Sequence, residues 1–219
     1  MPLAGEWLRL LFCILIQPTY SGSSSSHLRY DSVGNIRPSD DNATAATSAG
    51  FAYLANLSSS DQFLFGHHNT NWEGQLWSVA SSQQHNLNLN RSDVFTAVGQ
   101  YPAVVGYNLD WVTPGDTHNA TTLLRVVNAA VQFGAIPQFY WQARNPVTNN
   151  DAHDLSGNPV ESILQPGTDT HTVWIEAMDH VAAFLKQVQA PYLLLRLFHE
   201  NTGTIALLFV QSMLLWFKR

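Results

Sequence analysis

Four short apolar runs, each ending in a polar cluster, constrain this chain more than any other feature. Phe63-Leu-Phe65 runs into Gly66-His67-His68, and Ala103-Val-Val-Gly-Tyr-Asn-Leu ends at Asp110-Trp111. Ala135-Ile-Pro-Gln-Phe-Tyr ends at Trp141-Gln142, and Tyr192-Leu-Leu-Leu-Arg-Leu-Phe ends at His199-Glu200. Helical spacing lies before and between them. Ala43 to Leu57 carries Phe51, Leu54 and Ala55 on one stripe, and Ser92 to Gln100 supplies a turn or two. Leu123, Val127 and Ala130 mark a further face, with Gly134 placed to stop that helix. Trp174, Met178, Val181, Leu185 and Val188 step by four and three until Pro191 breaks the pattern. Near-continuous apolar strands alternating with helices are the pattern of a parallel α/β sheet covered by helices. Ligands bind such sheets at the C-terminal ends of the strands, where these polar clusters fall. Residues Gln142 to Thr168, rich in Asn, Asp, Gly and Pro, form a long loop on that same edge, a place where loops usually carry function.

Composition narrows the class of ligand. Charged residues are only 12% of the chain, about half the usual share, while 45% is hydrophobic. The formal charge is −6 and no basic stripe exists, so nucleic acid is not an expected partner. Abundant hydroxyls and amides with seven Trp tilt toward neutral, hydroxyl-rich ligands. Residues 1–22, with Arg9, the apolar run Leu10 to Ile16 and small residues beyond, read as a signal peptide, the run being too short for a membrane span. Residues 23–41 read as a linker. Sequons at Asn42, Asn56, Asn90 and Asn119 add weak support for a secreted, extracellular chain. The one cysteine, Cys13, lies inside the leader, so a mature chain has no disulfide, thiolate metal site or cysteine nucleophile.

Glu200 is the leading candidate for chemistry. A carboxylate at the end of an apolar strand is partly desolvated, which raises its pKa toward the range a general acid needs. A capping or salt-bridged surface glutamate is the competing reading. His199-Glu200 is not the start of a zinc helix, because H-E-x-x-H requires histidine where Gly203 stands. His67 and His68 are adjacent on a strand, so at most one reaches a shared site. Trp72, Trp111 and Trp141 lie at or beyond strand ends, where aromatic faces can pack on sugar rings; Trp174, on the helix stripe, is read as core. There is no phosphate loop, nucleophile elbow or EF-hand pattern, and neither a cofactor nor a metal is expected.

From about Phe63 to Gly203 the residues resemble glycoside hydrolase family 26, the β-mannanases. Phe65-Gly-His67, Tyr101-Pro-Ala-Val-Val-Gly-Tyr107, Trp141 with Asn145-Pro-Val-Thr148, Ile163-Leu164, Pro166-Gly167 and Arg196-Leu-Phe-His-Glu-Asn-Thr-Gly203 carry the resemblance. It implies a (β/α)8 TIM barrel that cleaves internal β-1,4 bonds of mannan with retention, using two glutamates. Glu200 matches the acid/base and His199 its neighbouring site histidine. With His67, Asp110, Trp111, Trp141, Gln142 and Asn145 they make up the expected site, the last six with His199 as substrate-binding residues.

Two departures from the family pattern stand out. Gln142 occupies the position after the third-strand tryptophan where the family usually has histidine. The nucleophile belongs after a seventh strand, whereas the sequence runs only a little past the fourth. The expectation is therefore a partial catalytic domain over residues 42–203, a barrel truncated after about four βα units, and no hydrolysis by the chain as written. Residues 204–219 have no family counterpart; thirteen mostly apolar residues, Ile205 to Phe217, are too few for a membrane span and fit a truncated product better than a membrane-active tail. Two rival readings are a secreted non-catalytic carbohydrate-binding protein and a same-family enzyme acting on another β-glycan. Oligomeric state is left open. Strand parity gives one further expectation: if Glu200 faces the site, Phe198, Arg196 and Leu194 share its side, and Leu193, Leu195 and Leu197 face the helices.

Overall fold

A computed structural model describes residues 29–30, 36–38, 40–79, 88–113, 120–154 and 156–197. Within the stretch read as a linker, β1 (Arg29–Tyr30) and β2 (Ile36–Arg37) pair antiparallel. Helix α1 (Ala45–Ser58) follows, capped by Thr44, whose hydroxyl accepts from Thr47 N–H over 3.1 Å. The first strand of the main sheet, β3 (Gly66–His68), leads into a small hairpin of β4 (Glu73–Gly74) and β5 (Trp77–Ser78). Then come α2 (Asp93–Val98), β6 (Val104–Asn108) with a 3-10 turn at Leu109–Val112, α3 (Ala120–Gln132) and β7 (Ile136–Tyr140). The long loop holds the short helix α4 (Pro159–Ile163), and α5 (Asp169–Leu185) leads to β8 (Leu194–Arg196).

The main sheet has the order β3-β6-β7-β8, and every pairing in it is parallel. Sequential parallel neighbours joined through helices are what the alternation of apolar runs and helical stripes requires. Register fixes two faces. Val105 and Tyr107 of β6 and Phe139 of β7 are fully buried with Leu123, Val126, Val127 and Ala130 of α3 and with Val181, Phe184 and Leu185 of α5. Leu193, Leu195 and Leu197 pack on this same core, the side that the parity argument assigns to them. The alternate residues, among them Gly106, Asn108, Gln138, Tyr140 and Arg196, point away from the helices.

The first strand departs from expectation. Phe63 to Phe65 lie outside the ladder, with Phe63 and Phe65 exposed, and the strand is Gly66-His67-His68 itself. Its parallel bonding begins when Ala103 N–H donates to Phe65 O over 2.9 Å. Helix α5 also ends at Leu185, before Val188 and well before Pro191. Gly134, with φ of 92°, stops α3 where the sequence places the stop. Among the described residues no helix is long and apolar enough to cross a membrane.

Candidate active site

Parity on β3 separates the two histidines. His68 is in register with Gly106, Gln138 and Leu194, on the face away from the helices. The His68 ring packs closely over Gly106, where a Cβ would lie 3.1 Å from it. The same ring lies 4.8 Å from that of Tyr140, one row further along the sheet. His67 is in register with Val105 and takes the other side, close enough to Asp93 of α2 to help lower its carboxyl pKa. The larger causes at Asp93 are hydrogen bonds from Trp77 Nε1 and from Gln75 N–H.

Beyond β3 the chain turns on Asn69, which holds φ of 54°, in the left-handed region that asparagine tolerates. Asn69 Nδ2 donates to Glu73 over 2.8 Å, and Glu73 is near enough to Tyr140 to raise the phenol pKa, after the larger effect of burial. His68, Tyr140 and Glu73 therefore form a polar group at the strand ends, where the sequence reading placed His67 rather than His68 in the site and did not single out Tyr140 or Glu73. The signal was available in part: Tyr140 and Gln142 alternate with buried Phe139 and Trp141.

The C-terminal ends of β6 and β7 meet through two amides. Asn108 Nδ2 donates to Gln142 Oε1 over 3.2 Å, and Asn108 Oδ1 accepts from Asp110 N–H over 3.0 Å. Asp110, on the 3-10 turn, lies 3.9 Å from Arg144 Nε and accepts from the Thr113 hydroxyl at 3.4 Å. Asn108, Asp110, Gln142 and Arg144 are thus gathered on one edge.

Three other expected site residues are engaged elsewhere. Trp141 is 3% exposed and stacks on Trp174 at 4.9 Å, so that ring face is not open to a sugar, and its Nε1 has no acceptor among the described residues. Trp111 stacks on buried Trp72 at 4.7 Å, which covers one face of the half-buried Trp111 ring. Asn145 is buried and satisfies the loop that follows: its Nδ2 donates to Asp154 O and Ser156 O at 2.8 and 2.9 Å, and its Oδ1 accepts from Val147 and Thr148 N–H. With all its capacity used, Asn145 acts as a loop anchor. His199 and Glu200 lie outside the described residues, as do residues 1–22, Asn119 and 204–219.

A sheet of this topology with polar residues along one edge is common to many enzymes, and the sequence decides among them. Residues 39–207 match glycosyl hydrolase family 26. The chain belongs to that family. It is 27% identical over 208 residues to a mannan endo-1,4-beta-mannosidase of Bifidobacterium adolescentis, covering 89% of this chain and 19% of the relative. Among solved structures, it resembles the catalytic domain of an endo-beta-1,4-mannanase of the family from Bacillus sp. JAMB-750, with 29% identity and a TM-score of 0.61 over 78% of this chain and 46% of that one. A family beta-mannanase from Bacteroides ovatus gives 27% identity and a TM-score of 0.55 over 69% and 45% of the two chains. The chain spans about a fifth of the curated relative and less than half of either solved chain. The fold is α/β, and its parallel sheet corresponds to part of the family's TIM barrel.

Proposed function

We propose that these residues belong to the catalytic domain of a retaining endo-β-1,4-mannanase acting on mannan-type polysaccharide, with Glu200 as general acid/base. The observation that carries the reading is the family match over 39–207, which includes Arg196-Leu-Phe-His-Glu-Asn-Thr-Gly203. In the proposed reaction Glu200 gives its proton to the glycosidic oxygen as the C1–O bond breaks. A second carboxylate attacks C1 from the opposite face. Glu200 then takes a proton from water, and that water's oxygen displaces the carboxylate from C1, restoring the starting configuration. His199, Gln142, Asp110 and the Asn108 amide are assigned to substrate contact or its support, as the edge of the sheet where ligands bind.

Residues 201–219 contain no Asp or Glu. The second carboxylate is therefore not assigned to any residue from 201 to 219. Gln142 in place of histidine keeps another β-glycan in view as substrate. Secretion is part of the proposal, supported by the character of residues 1–22 and by the exposed sequon residues Asn42, Asn56 and Asn90. The test is calorimetric titration of the chain with mannohexaose, xylohexaose and a mixed-linkage glucan oligosaccharide. Preference for mannohexaose supports the reading; preference for either of the others moves the substrate class.

A further inference from the structure

The two ends of a glutamine amide differ in chemistry: Oε1 only accepts and Nε2 only donates. The end that Gln142 presents to a ligand is set by its neighbours. The Asp110 backbone N–H donates to Asn108 Oδ1 over 3.0 Å, and the Gln142 N–H approaches the same oxygen at 3.5 Å. Neither N–H can accept, so the oxygen of Asn108 must face them. Its Nδ2 is then turned toward Gln142, where it donates to Oε1 over 3.2 Å. That bond occupies the glutamine oxygen. Gln142 Nε2 has no hydrogen-bond partner among the described residues, and the side chain is half-buried at the strand ends. Asn108 itself is only 9% exposed, so its orientation is held by the protein rather than by water.

We propose that Asn108 is a positioning residue that holds Gln142 with its Nε2 turned toward the substrate, so that this position offers hydrogen-bond donors only. A site of that kind selects an oxygen that accepts, such as a hydroxyl or ring oxygen of a neutral sugar, over a group that can only donate. The inference rests on the mannan-type reading given above for its ligand. The orientation of the amide stands independently of it.

The experiment uses the 219-residue chain labelled with ¹⁵N, with mannohexaose as the probe. In the unsubstituted chain without sugar, one Asn108 Nδ2 proton exchanges slowly and both Gln142 Nε2 protons exchange as exposed amides do. Mannohexaose shifts the Gln142 Nε2 resonance. In Asn108→Asp the carboxylate still accepts from Asp110 N–H but cannot donate. Gln142 then turns over, one of its Nε2 protons becomes protected, and mannohexaose affinity falls about threefold to tenfold, the worth of one hydrogen bond. Gln142→Met lowers affinity by a similar factor, and adding Asn108→Asp to it causes no further loss, because Asn108 acts through Gln142. Protected Gln142 Nε2 protons in the unsubstituted chain would overturn the proposal. So would an equal loss from Asn108→Asp with or without Gln142→Met, which would mean a merely structural role. Failure of the chain to bind mannohexaose would count against the substrate reading, while the exchange pattern would still decide the orientation. Should Asn108→Asp not fold, the exchange pattern of the parent chain and Gln142→Met decide it.

Discussion

The Tyr107 hydroxyl donates to Asn71 Oδ1 over 2.7 Å, and both side chains are fully buried. Asn71 Nδ2 in turn donates to Val126 O of α3 at 2.8 Å and to Leu89 O at 3.1 Å. One asparagine thus ties the chain after β3 to strand β6, to helix α3 and to the segment before α2. Burial pushes the Tyr107 phenol well above its ordinary pKa, so it stays protonated and donating across the working range.

Removing that hydroxyl leaves a buried acceptor without its donor. Tyr107→Phe is expected to lower unfolding free energy by about 1–3 kcal/mol. Asn71→Ala should cost more than Tyr107→Phe, because it strands the Tyr107 hydroxyl, takes a donor from two carbonyls and opens a void. Urea denaturation of the three proteins checks both the sign and the order.

Gly50 gives a stability prediction with a sign opposite to helix propensity. Alanine is ordinarily better than glycine inside a helix by about 1 kcal/mol. Here a Cβ at position 50 would lie 2.6 Å from the Tyr192 ring, where α1 crosses the segment leading into β8. Gly50→Ala is therefore expected to destabilise by about 1–3 kcal/mol through overpacking. Gly50→Ala in a Tyr192→Ala background should lose that penalty. A melting temperature raised by Gly50→Ala alone would refute the close approach.

The long loop after β7 supplies a pH prediction. The Asp154 carboxyl is held well below the usual carboxylate range by hydrogen bonds from Ser156, Thr148 and Asn150. Its folded pKa is depressed, so the contribution to loop order is complete above the unfolded value of about 3.9 and is lost as pH falls below that toward the folded value. Loop order should be flat from neutral pH down to about pH 5. Carboxyl ¹³C titration of Asp154 should show no midpoint between pH 4 and 8; a midpoint there would contradict the hydrogen-bond account.

Asn145 was read from the sequence as a substrate contact, but its four hydrogen bonds organise the same loop. Asn145→Ala is accordingly expected to raise amide exchange at Val147 and Thr148 by at least tenfold, equivalent to about 1.4 kcal/mol of local stability. Unchanged protection at those amides would return Asn145 to the list of free site residues.

These cases show what the sequence could and could not convey. The parallel sheet was legible because apolar runs such as Ala103 to Leu109 have no polar face to expose, and the helix stop at Gly134 because only a left-handed residue fits there. The start of β3 was not legible. Hydrophobicity marked Phe63 and Phe65, but the ladder is set by where backbone groups meet β6, and that begins at Phe65 O. The β4–β5 hairpin has Gln75 and Leu76 at its turn, residues with no turn signature. Trp141 stands where a sugar platform is expected, yet whether an aromatic ring faces ligand or core depends on parity and on a partner, Trp174, more than thirty residues away. Parity separated His67 from His68 in principle, and only the register with β6 showed which one takes the face away from the helices.

The proposal to be tested is that Glu200 is the acid/base in the catalytic domain of a retaining mannanase. The most direct measurement is reducing-sugar release from soluble mannan by three proteins. These are the 219-residue chain, a chain completed with the C-terminal half of a family 26 catalytic domain, and the completed chain carrying Glu200→Gln. No release is expected from the first, turnover from the second, and a loss of about 10²–10⁴-fold in the third, smaller on substrates whose leaving group needs little protonation. Hydrolysis by the 219-residue chain above its own Glu200→Gln control, or full activity of the completed Glu200→Gln chain, would contradict that expectation.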